Sequence, residues 1–563
     1  MGRGFIYEER KMGKEKLKPK LFSVMKNYTK EQFVKDVIAG IIVAIIALPL
    51  SIALALASGV GPEQGIYTAI VAGFLIAFFG GSRVQIAGPT AAFATIVAGI
   101  VAKNGMDGLI IATILAGIIL IVMGFLRIGS LIKFIPYTIT TGFTAGIAVT
   151  IVIGQLKDFF GLTYPEGLKP IETSEKVKAF VQNISTINIQ ALIVGAVCLV
   201  VLILWPMIPK VGEKIPASLI AVFVGIGMVS GLGLKAKTIG DLYTISNALP
   251  AFHMPKLTIQ SIQNMLPDAF TIAILAAIES LLSCVVADGM INSKHRSNME
   301  LIAQGLGNVG SALFGGIPAT GAIARTAANI KNGGRTPIAG IVHSITLLLV
   351  LVILMPYAAL IPMPTIAAIL FMVAYNMCGW RTFVGLCKQA PKSDIIVLVV
   401  TFLLTVIFDL VVAIEIGMIA AAVLFMKRMS EEADVHGWKY YDEDDDEDHI
   451  DLRTVPQQVR VYEINGPMFF GVADRIGDIS LKDFTKVLVI RMRGVPAVDA
   501  TAMHSLEQLN EMCVKHNVQM VFSHVNEQPM SVMEKAGFVD KVGRDNFCEH
   551  IDAALARAEE LIK

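Results

Sequence analysis

The stretch Leu313–Ile330 reads LFGGIPATGAIARTAANI. Two glycines and a proline open it, small residues follow, and Arg325 then stands in a run that is otherwise apolar. Glycine and proline are tolerated in a membrane helix where neighbours satisfy the freed backbone groups, but a charge there marks a partner or a functional site. The rest of the chain shows that lipid is the right solvent for the argument. Of 563 residues, 54% are hydrophobic and 17% charged, with mean hydropathy +0.66, whereas about a quarter of residues are charged in soluble domains. The composition predicts a polytopic α-helical membrane protein. Net charge +1 is uninformative as a total, because an acidic run and basic loops cancel within it. Six cysteines without regular spacing suggest neither a disulfide framework nor a zinc site.

Moving outward from Leu313–Ile330, apolar runs are compared with the ~20 residues a helix needs to cross ~30 Å of hydrocarbon. Fourteen segments result, seven between residues 37 and 232 and seven between 267 and 428, among them Val84–Ala102 and Ala319–Ile330. An odd number per half makes the two halves enter from opposite sides, so a repeat between them must be inverted. The expected inner loops are all basic: Arg83; Arg127 and Lys133; Lys210 and Lys214; Lys294 and Arg296; Lys331 and Arg335; Arg381, Lys388 and Lys392; Lys427 and Arg428. The short outer loops lack Lys and Arg, which places both termini in the cytoplasm. Lys11, Lys14, Lys16, Lys18 and Lys20 resemble a signal-peptide n-region, yet no cleavage site follows the first apolar run, so residues 1–36 should form a cytoplasmic segment.

After residue 428 the character changes. Asp442–Asp451 reads DEDDDEDHID, so 429–457 is expected to be an acidic, solvated linker. Beyond it, strand-like Val459–Ile464, Lys486–Ile490 and Gln519–Ser523 alternate with helical Thr501–His516, Met530–Ala536 and Cys548–Ile562. That alternation predicts a small α/β domain over 458–563.

Within the membrane part (37–428, with repeats at about 37–232 and 267–428), the third segment of each half is interrupted. The first carries Gly88, Pro89, Thr90 and Ala91; the second carries Thr320, Gly321, Ala322, Ile323 and Arg325. Matched breaks in corresponding positions point to a transporter binding site near the bilayer midplane. A break exposes backbone N–H groups where the helix dipole is positive, so an anion is held there without a fixed cation, and small residues let it approach. Close packing through small residues is the structural alternative. Arg325 either adds to the positive field or pairs with an acid. Glu279, in AILAAIESLLSC, is the one obvious acid deep inside an apolar segment. It is the candidate coupling residue for a proton or cation, with a static Glu279–Arg325 pair as the alternative. Ser283, one turn later, can add a hydroxyl ligand.

Several strings carry a family resemblance: Pro62, Gly65, Ile66 and Tyr67; Gly80, Gly81, Ser82 and Arg83; Ala87, Gly88 and Pro89; then His295, Ser297, Asn298, Glu300 and Leu301, followed by Ala303, Gln304 and Gly305. With them the chain resembles the SulP family of anion transporters, and its tail resembles a STAS domain. The resemblance implies seven-plus-seven inverted repeats, a core domain moving against a gate domain, and a homodimer. It also implies that Thr90, Glu279, Gly321, Ala322 and Arg325 line the anion site. The string GAIART is similar to members carrying C4-dicarboxylates such as fumarate with protons. Sodium-coupled bicarbonate members tend to have an aspartate at 279 and a hydroxyl residue at 323, and Ile323 offers sodium no oxygen. A co-transported proton is therefore expected, with sodium as the alternative and no bound cofactor or metal. In the tail, Asp499, Ala500, Thr501 and Ala502 occupy the place of the phosphorylated DSSG-like loop of sigma-regulating STAS proteins; Thr501 is either a phosphate acceptor or the N-cap of the following helix.

The expected function is secondary active transport of a small anion (sulfate, dicarboxylate or bicarbonate) across the inner or plasma membrane. A nucleobase permease of the same fold and a membrane sensor or scaffold working through its STAS domain are the alternatives. The expected partners are the anion, the bilayer, a second copy and a cytoplasmic protein reached through the STAS domain, with no nucleic acid. An enzyme is disfavoured, since no nucleophile–base pair or metal cluster falls in the apolar region.

Overall fold

Proline and glycine set where the helices start and stop. The computed structural model describes residues 17–129, 136–165, 168, 170–209, 215–256, 258–408, 410–432, 434–437, 455–469, 476, 479, 481–482 and 484–563. Lys11, Lys14, Lys16, Lys133, Lys210, Lys214, Asp409 and the acidic run 442–451 lie outside the described residues. The chain divides into two compact units, Met1–Met418 and Ile419–Lys563.

In the first unit, α1 (Lys30–Ala57) begins at Thr29, whose hydroxyl accepts from the Gln32 N–H at 3.2 Å. Helix α2 (Pro62–Phe79) has proline in its first turn, where the missing N–H costs nothing. The chain then runs without helix from Gly80 to Thr90, contributes the two-residue β1 (Ala87–Gly88), and restarts as α3 (Ala91–Phe125), which is interrupted at Gly105 (φ 68°, ψ −172°). Next come α4 (Tyr137–Phe159), α5 (Ile189–Leu204) and α6 (Ala217–Ile226). The second half repeats the plan. It has α7 (Ile259–Ile291), α8 (Ser297–Leu313), β2 (Thr320–Gly321), α9 (Ile323–Lys331), α10 (Ile338–Leu354), α11 (Met363–Cys378), α12 (Lys392–Ile407) and α13 (Leu410–Glu432). Among the described residues, eight helices are long and apolar enough to cross a membrane, one of them (Ala91–Phe125) covering two expected segments; of the remaining expected segments, the last falls on the 23-residue Leu410–Glu432 and the others on shorter helices.

Two expected segments take a different form. Val84–Ala102 is extended up to Thr90 and helical only from Ala91; Ala319–Ile330 is extended up to Gly321 and helical from Ile323. Pro89 biases the residue before it to extended backbone and supplies no N–H, so a helix restarts after it rather than running through it. The two extended pieces pair antiparallel, Ala87 with Gly321 and Gly88 with Thr320. Antiparallel pairing of corresponding breaks is what an inverted relation between the halves requires.

Within this unit the helices pack in two groups. Helices α1, α2, α3, α7, α8, α9 and α10 form one, and α4, α5, α6, α11 and α12 form the other. Each half contributes its first helices to the first group and its later ones to the second. The paired breaks lie in the first group, where β1 packs on α2 and β2 on α7.

The second unit contains a five-stranded sheet in the order β3 (Asp434–Gly437), β4 (Val459–Asn465), β5 (Val487–Gly494), β6 (Gln519–Ser523), β7 (Phe547–Cys548), with β3 antiparallel and the rest parallel. Alternation along the strands separates two apolar faces. Leu488, Ile490, Met520 and Phe522 meet Leu506 and Leu509 of α14 (Ala500–Lys515), while Val459, Val461, Val487, Val489 and Val521 meet Ala554 and Ala558 of the C-terminal helix Ile551–Ile562. Both faces are covered, as a parallel sheet demands.

Candidate functional site

The antiparallel β1–β2 contact brings two helix N-termini to one place. Thr90 holds the N-cap position of α3 in extended backbone (φ −126°, ψ 158°), and Ala322 holds that of α9 (φ −95°, ψ 111°). Both are half-buried, and neither caps its own helix with a side-chain hydrogen bond. The Thr90 hydroxyl instead donates to Glu279 Oε2 on α7 at 3.0 Å. One of the two breaks is thus joined directly to the acid. Ile323 is 44% exposed and Ala324 is exposed too. The first turn of α9 is therefore open rather than packed against its neighbours.

Arg325, by contrast, is 1% exposed and lies against the first break. Its Nη2 donates to Ser51 Oγ of α1 and to the Pro89 carbonyl, each at 3.3 Å, while Nη1 packs against Gly88, and Nε and Nη1 have no hydrogen-bond partner among the described residues. Arg325 and Glu279 make no ion pair among the described residues, so the static pair expected as an alternative does not form. The guanidinium of the second half instead braces the break of the first. A cation placed there lends its field to the site without blocking it.

The remaining expected residues play other parts. Thr320 is fully buried, with its hydroxyl 2.6 Å from Ser280 Oγ, and the Gly321 N–H donates to that same oxygen at 3.1 Å. Ser283 is fully buried as well and donates to Thr326 Oγ1 at 3.4 Å. Thr326 in turn accepts from the Ile86 N–H at 3.0 Å, and the Ala322 N–H donates to the Ile86 carbonyl at 2.9 Å. The structure thus joins Thr90 to Glu279 and sets Gly88 and Pro89 against Arg325, while Thr320, paired with Gly88, lies in buried packing with Gly321 and Ser283, and Ala91 is buried at the start of α3.

Glu279 is not the one buried acid. Glu300, on α8, and Asp36, on α1, are both 0% exposed. Glu300 accepts from the Gly81 and Ser82 N–H groups and from Gln85 and Gln304; Asp36 accepts from Tyr28, Gln32 and the Arg335 and Thr336 N–H groups. The available signal for the first was the spacing of Glu300, Gln304 and Asn308, which repeats every four residues and so marks one polar face of an apolar helix. Asn308 accepts from the Ala319 N–H and donates to its carbonyl, both at 2.9 Å, fixing the chain where it enters the second break.

In the second unit, Thr501 is not the N-cap of α14. Asp499 is, accepting from the Ala502 N–H at 2.8 Å, and Thr501 is exposed in the first turn. A carboxylate two residues earlier reaches the free N–H groups and suits the positive end of the dipole, so the helix starts at Ala500. Among the described residues no group of three His, Cys, Asp or Glu side chains is arranged to hold a metal.

Comparison with known proteins agrees with this architecture. The model for the "Sulfate permease family" matches residues 33–401, and the model for the STAS domain matches residues 450–554. The chain is 39% identical over 532 residues to the Bacillus subtilis (strain 168) protein named "Putative sulfate transporter YvdB", covering 94% of this chain and 98% of that one. It is 32% identical over 544 residues to the bicarbonate transporter BicA of Picosynechococcus sp., covering 93% of this chain and 94% of the other. The structure of the murine anion transporter Slc26a9 in its inward-facing state superposes with TM-score 0.86 at 19% identity, covering 99% and 98% of the two chains, a likeness of fold. With a family match over most of its length, this chain belongs to the sulfate permease family and carries a C-terminal STAS domain.

Proposed function

We propose that the chain is a secondary active transporter of small anions that works by alternating access, with the anion held at the facing N-termini of α3 and α9 and a proton carried on Glu279. The observation that supports this most is the Thr90–Glu279 hydrogen bond at the mouth of the paired breaks, with Arg325 buried directly behind them. An anion bound there meets two half-helix dipoles and a shielded guanidinium, while a carboxylate on the same threonine makes its affinity depend on the protonation of that acid. Bound anion and ionised Glu279 repel each other, so protonation and anion binding favour each other. That mutual preference is the requirement for symport. Ile323 is exposed at the start of α9 with no oxygen to offer, which favours a proton over sodium.

The first packing group would carry the site past the second. The proposed arrangement has a transmembrane domain over 37–428, cytoplasmic termini, a plasma or inner membrane location, and a homodimer as the working unit. Relatives named for sulfate and for bicarbonate transport make both anions candidates beside C4-dicarboxylates, and family membership favours this reading over a nucleobase permease or a scaffold. Uptake of labelled sulfate, bicarbonate and fumarate into proteoliposomes with an imposed pH gradient tests it. Accumulation of one of them that collapses with a protonophore is the expected result, and no flux of any of the three overturns it.

A further inference from the structure

The chain reaches β1 through residues 80–86, a loop with no helix of its own. Its backbone must be satisfied from outside, since it is buried within a membrane domain. Thr326 takes the Ile86 N–H and Asn329 donates to the Val84 carbonyl, while one carboxylate takes two successive N–H groups and two side-chain amides. Glu300 Oε2 accepts from the Gly81 N–H at 2.8 Å and the Ser82 N–H at 3.1 Å, and Oε1 accepts from Gln85 Nε2 at 2.8 Å and Gln304 Nε2 at 2.9 Å. All four partners are donors. No cation pairs with Glu300 among the described residues; it lies in the first turn of α8, where the helix dipole favours a negative charge. The loop has no slack around it. The Gly81 carbonyl accepts from the Arg296 N–H at 3.0 Å, and a Cβ at Gly81 would collide with the Arg296 carbonyl. Gln85 continues the chain of contacts. Its Oε1 accepts from Cys284 Sγ at 2.8 Å, on the same helix as Glu279, and its amide fills the space a Cβ at Gly321 would need.

We propose that Glu300 is a positioning residue for transport: its carboxylate clamps residues 81–85 and thereby sets where Thr90 meets Glu279 and where β1 meets Gly321. Glu300 touches no anion. It acts through Gln85 and the loop, and the proposal rests on the site reading above. The hydrogen-bond pattern makes a sharp demand. Glu300→Gln keeps the shape but turns an NH2 group toward the Gln85 NH2, which is held as a donor because its Oε1 takes Cys284, so the clamp is broken at Gln85 despite the conservative change. Exchanging the two groups restores a workable pattern. With Gln85→Glu added, the amide at 300 donates to the carboxylate at 85, which still accepts from Cys284, and the Gln304 amide, whose Oε1 is now unpartnered, can turn over to accept.

The test is the cycle of wild type, E300Q, Q85E and E300Q/Q85E in the full chain in native membranes. Alkylation of Cys284 by N-ethylmaleimide is followed by mass spectrometry, with Cys198, also 0% exposed, as the internal control. E300Q and Q85E should each speed Cys284 alkylation about tenfold and leave Cys198 protected, and the double variant should return within about threefold of wild type, as expected when a charged hydrogen bond is lost and regained. In proteoliposomes the KM of the transported anion should follow the same order. Unchanged Cys284 labelling in E300Q, equal exposure of Cys198, or a double variant no better than the worse single variant overturns the clamp. Absence of transport by the wild type overturns the functional reading instead, and the alkylation cycle still decides the clamp.

Discussion

Thr90, the first residue before α3, donates its hydroxyl to Glu279 Oε2 on α7 at 3.0 Å, across 189 positions of sequence. This bond joins the break of the first half to the helix that opens the second. It also places the proposed coupling acid and the proposed anion cradle in direct contact.

Glu279→Gln should abolish proton-driven accumulation while leaving exchange of the anion across the membrane, because the amide keeps a hydrogen-bond acceptor for Thr90 but carries no titrating proton. Thr90→Val should retain coupling and raise KM by about tenfold, the cost of one lost hydrogen bond of roughly 1.4 kcal/mol. Uptake measured against imposed pH gradients separates the two. Full pH-driven accumulation by Glu279→Gln would remove this acid from the coupling role.

Gly88 lies against the Arg325 guanidinium, where an added Cβ would collide with Nη1, whereas a Cβ at Gly99 on α3 meets nothing within 4 Å. Gly88→Ala should cost about 1–3 kcal/mol from overpacking and impair transport, and Gly99→Ala should be close to neutral. Thermal unfolding in detergent, run beside uptake, checks the pair. Equal behaviour of the two variants would mean that Arg325 does not brace the first break.

Asp499, not Thr501, caps α14. Asp499→Ala should lower the stability of the second unit by ~1 kcal/mol, while Thr501→Ala should change it by less than about 0.5 kcal/mol. Thr501→Glu should be tolerated, since a negative charge in the first turn suits the dipole. Urea unfolding followed by the fluorescence of a label on this unit reads all three.

Burial pushes the Cys513 thiol up to about 12 from its ordinary 9.0. Between those values an unfolded chain loses the proton while the folded one keeps it, so the folded state binds more protons and stability falls as pH rises. The slope is about 1.4 kcal/mol per pH unit in that window and vanishes below pH 9, where both states are protonated. Cys513→Ala should flatten that part of the curve. Urea midpoints of wild type and variant between pH 8 and 11 give the comparison, and parallel curves would refute the assignment.

Composition and run length determine by themselves that this chain lives in a bilayer, because 54% hydrophobic residues cannot be solvated by water. The period of the pattern likewise determines the α/β domain after the acidic run: Val459, Val461, Val487 and Val489 alternate with their neighbours, and a strand has no other way to separate two faces. The matched breaks at Gly88–Ala91 and Thr320–Arg325 were legible too, since Gly and Pro interrupt an apolar run in only a few ways. Tertiary structure alone decided what those breaks do to each other. Whether Arg325 pairs with Glu279 or reaches the Pro89 carbonyl depends on how α7 and α9 cross the first half, and nothing local to either residue encodes that. The role of Glu300 was hidden for the same reason. The spacing of Glu300, Gln304 and Asn308 marks a polar face, but Glu300 becomes the anchor of a buried loop only because residues 80–86, more than two hundred positions earlier, bring N–H groups to it. Short-range pattern records which solvent each residue faces, whereas the pairing of buried polar groups is a long-range condition that only the packed chain fulfils.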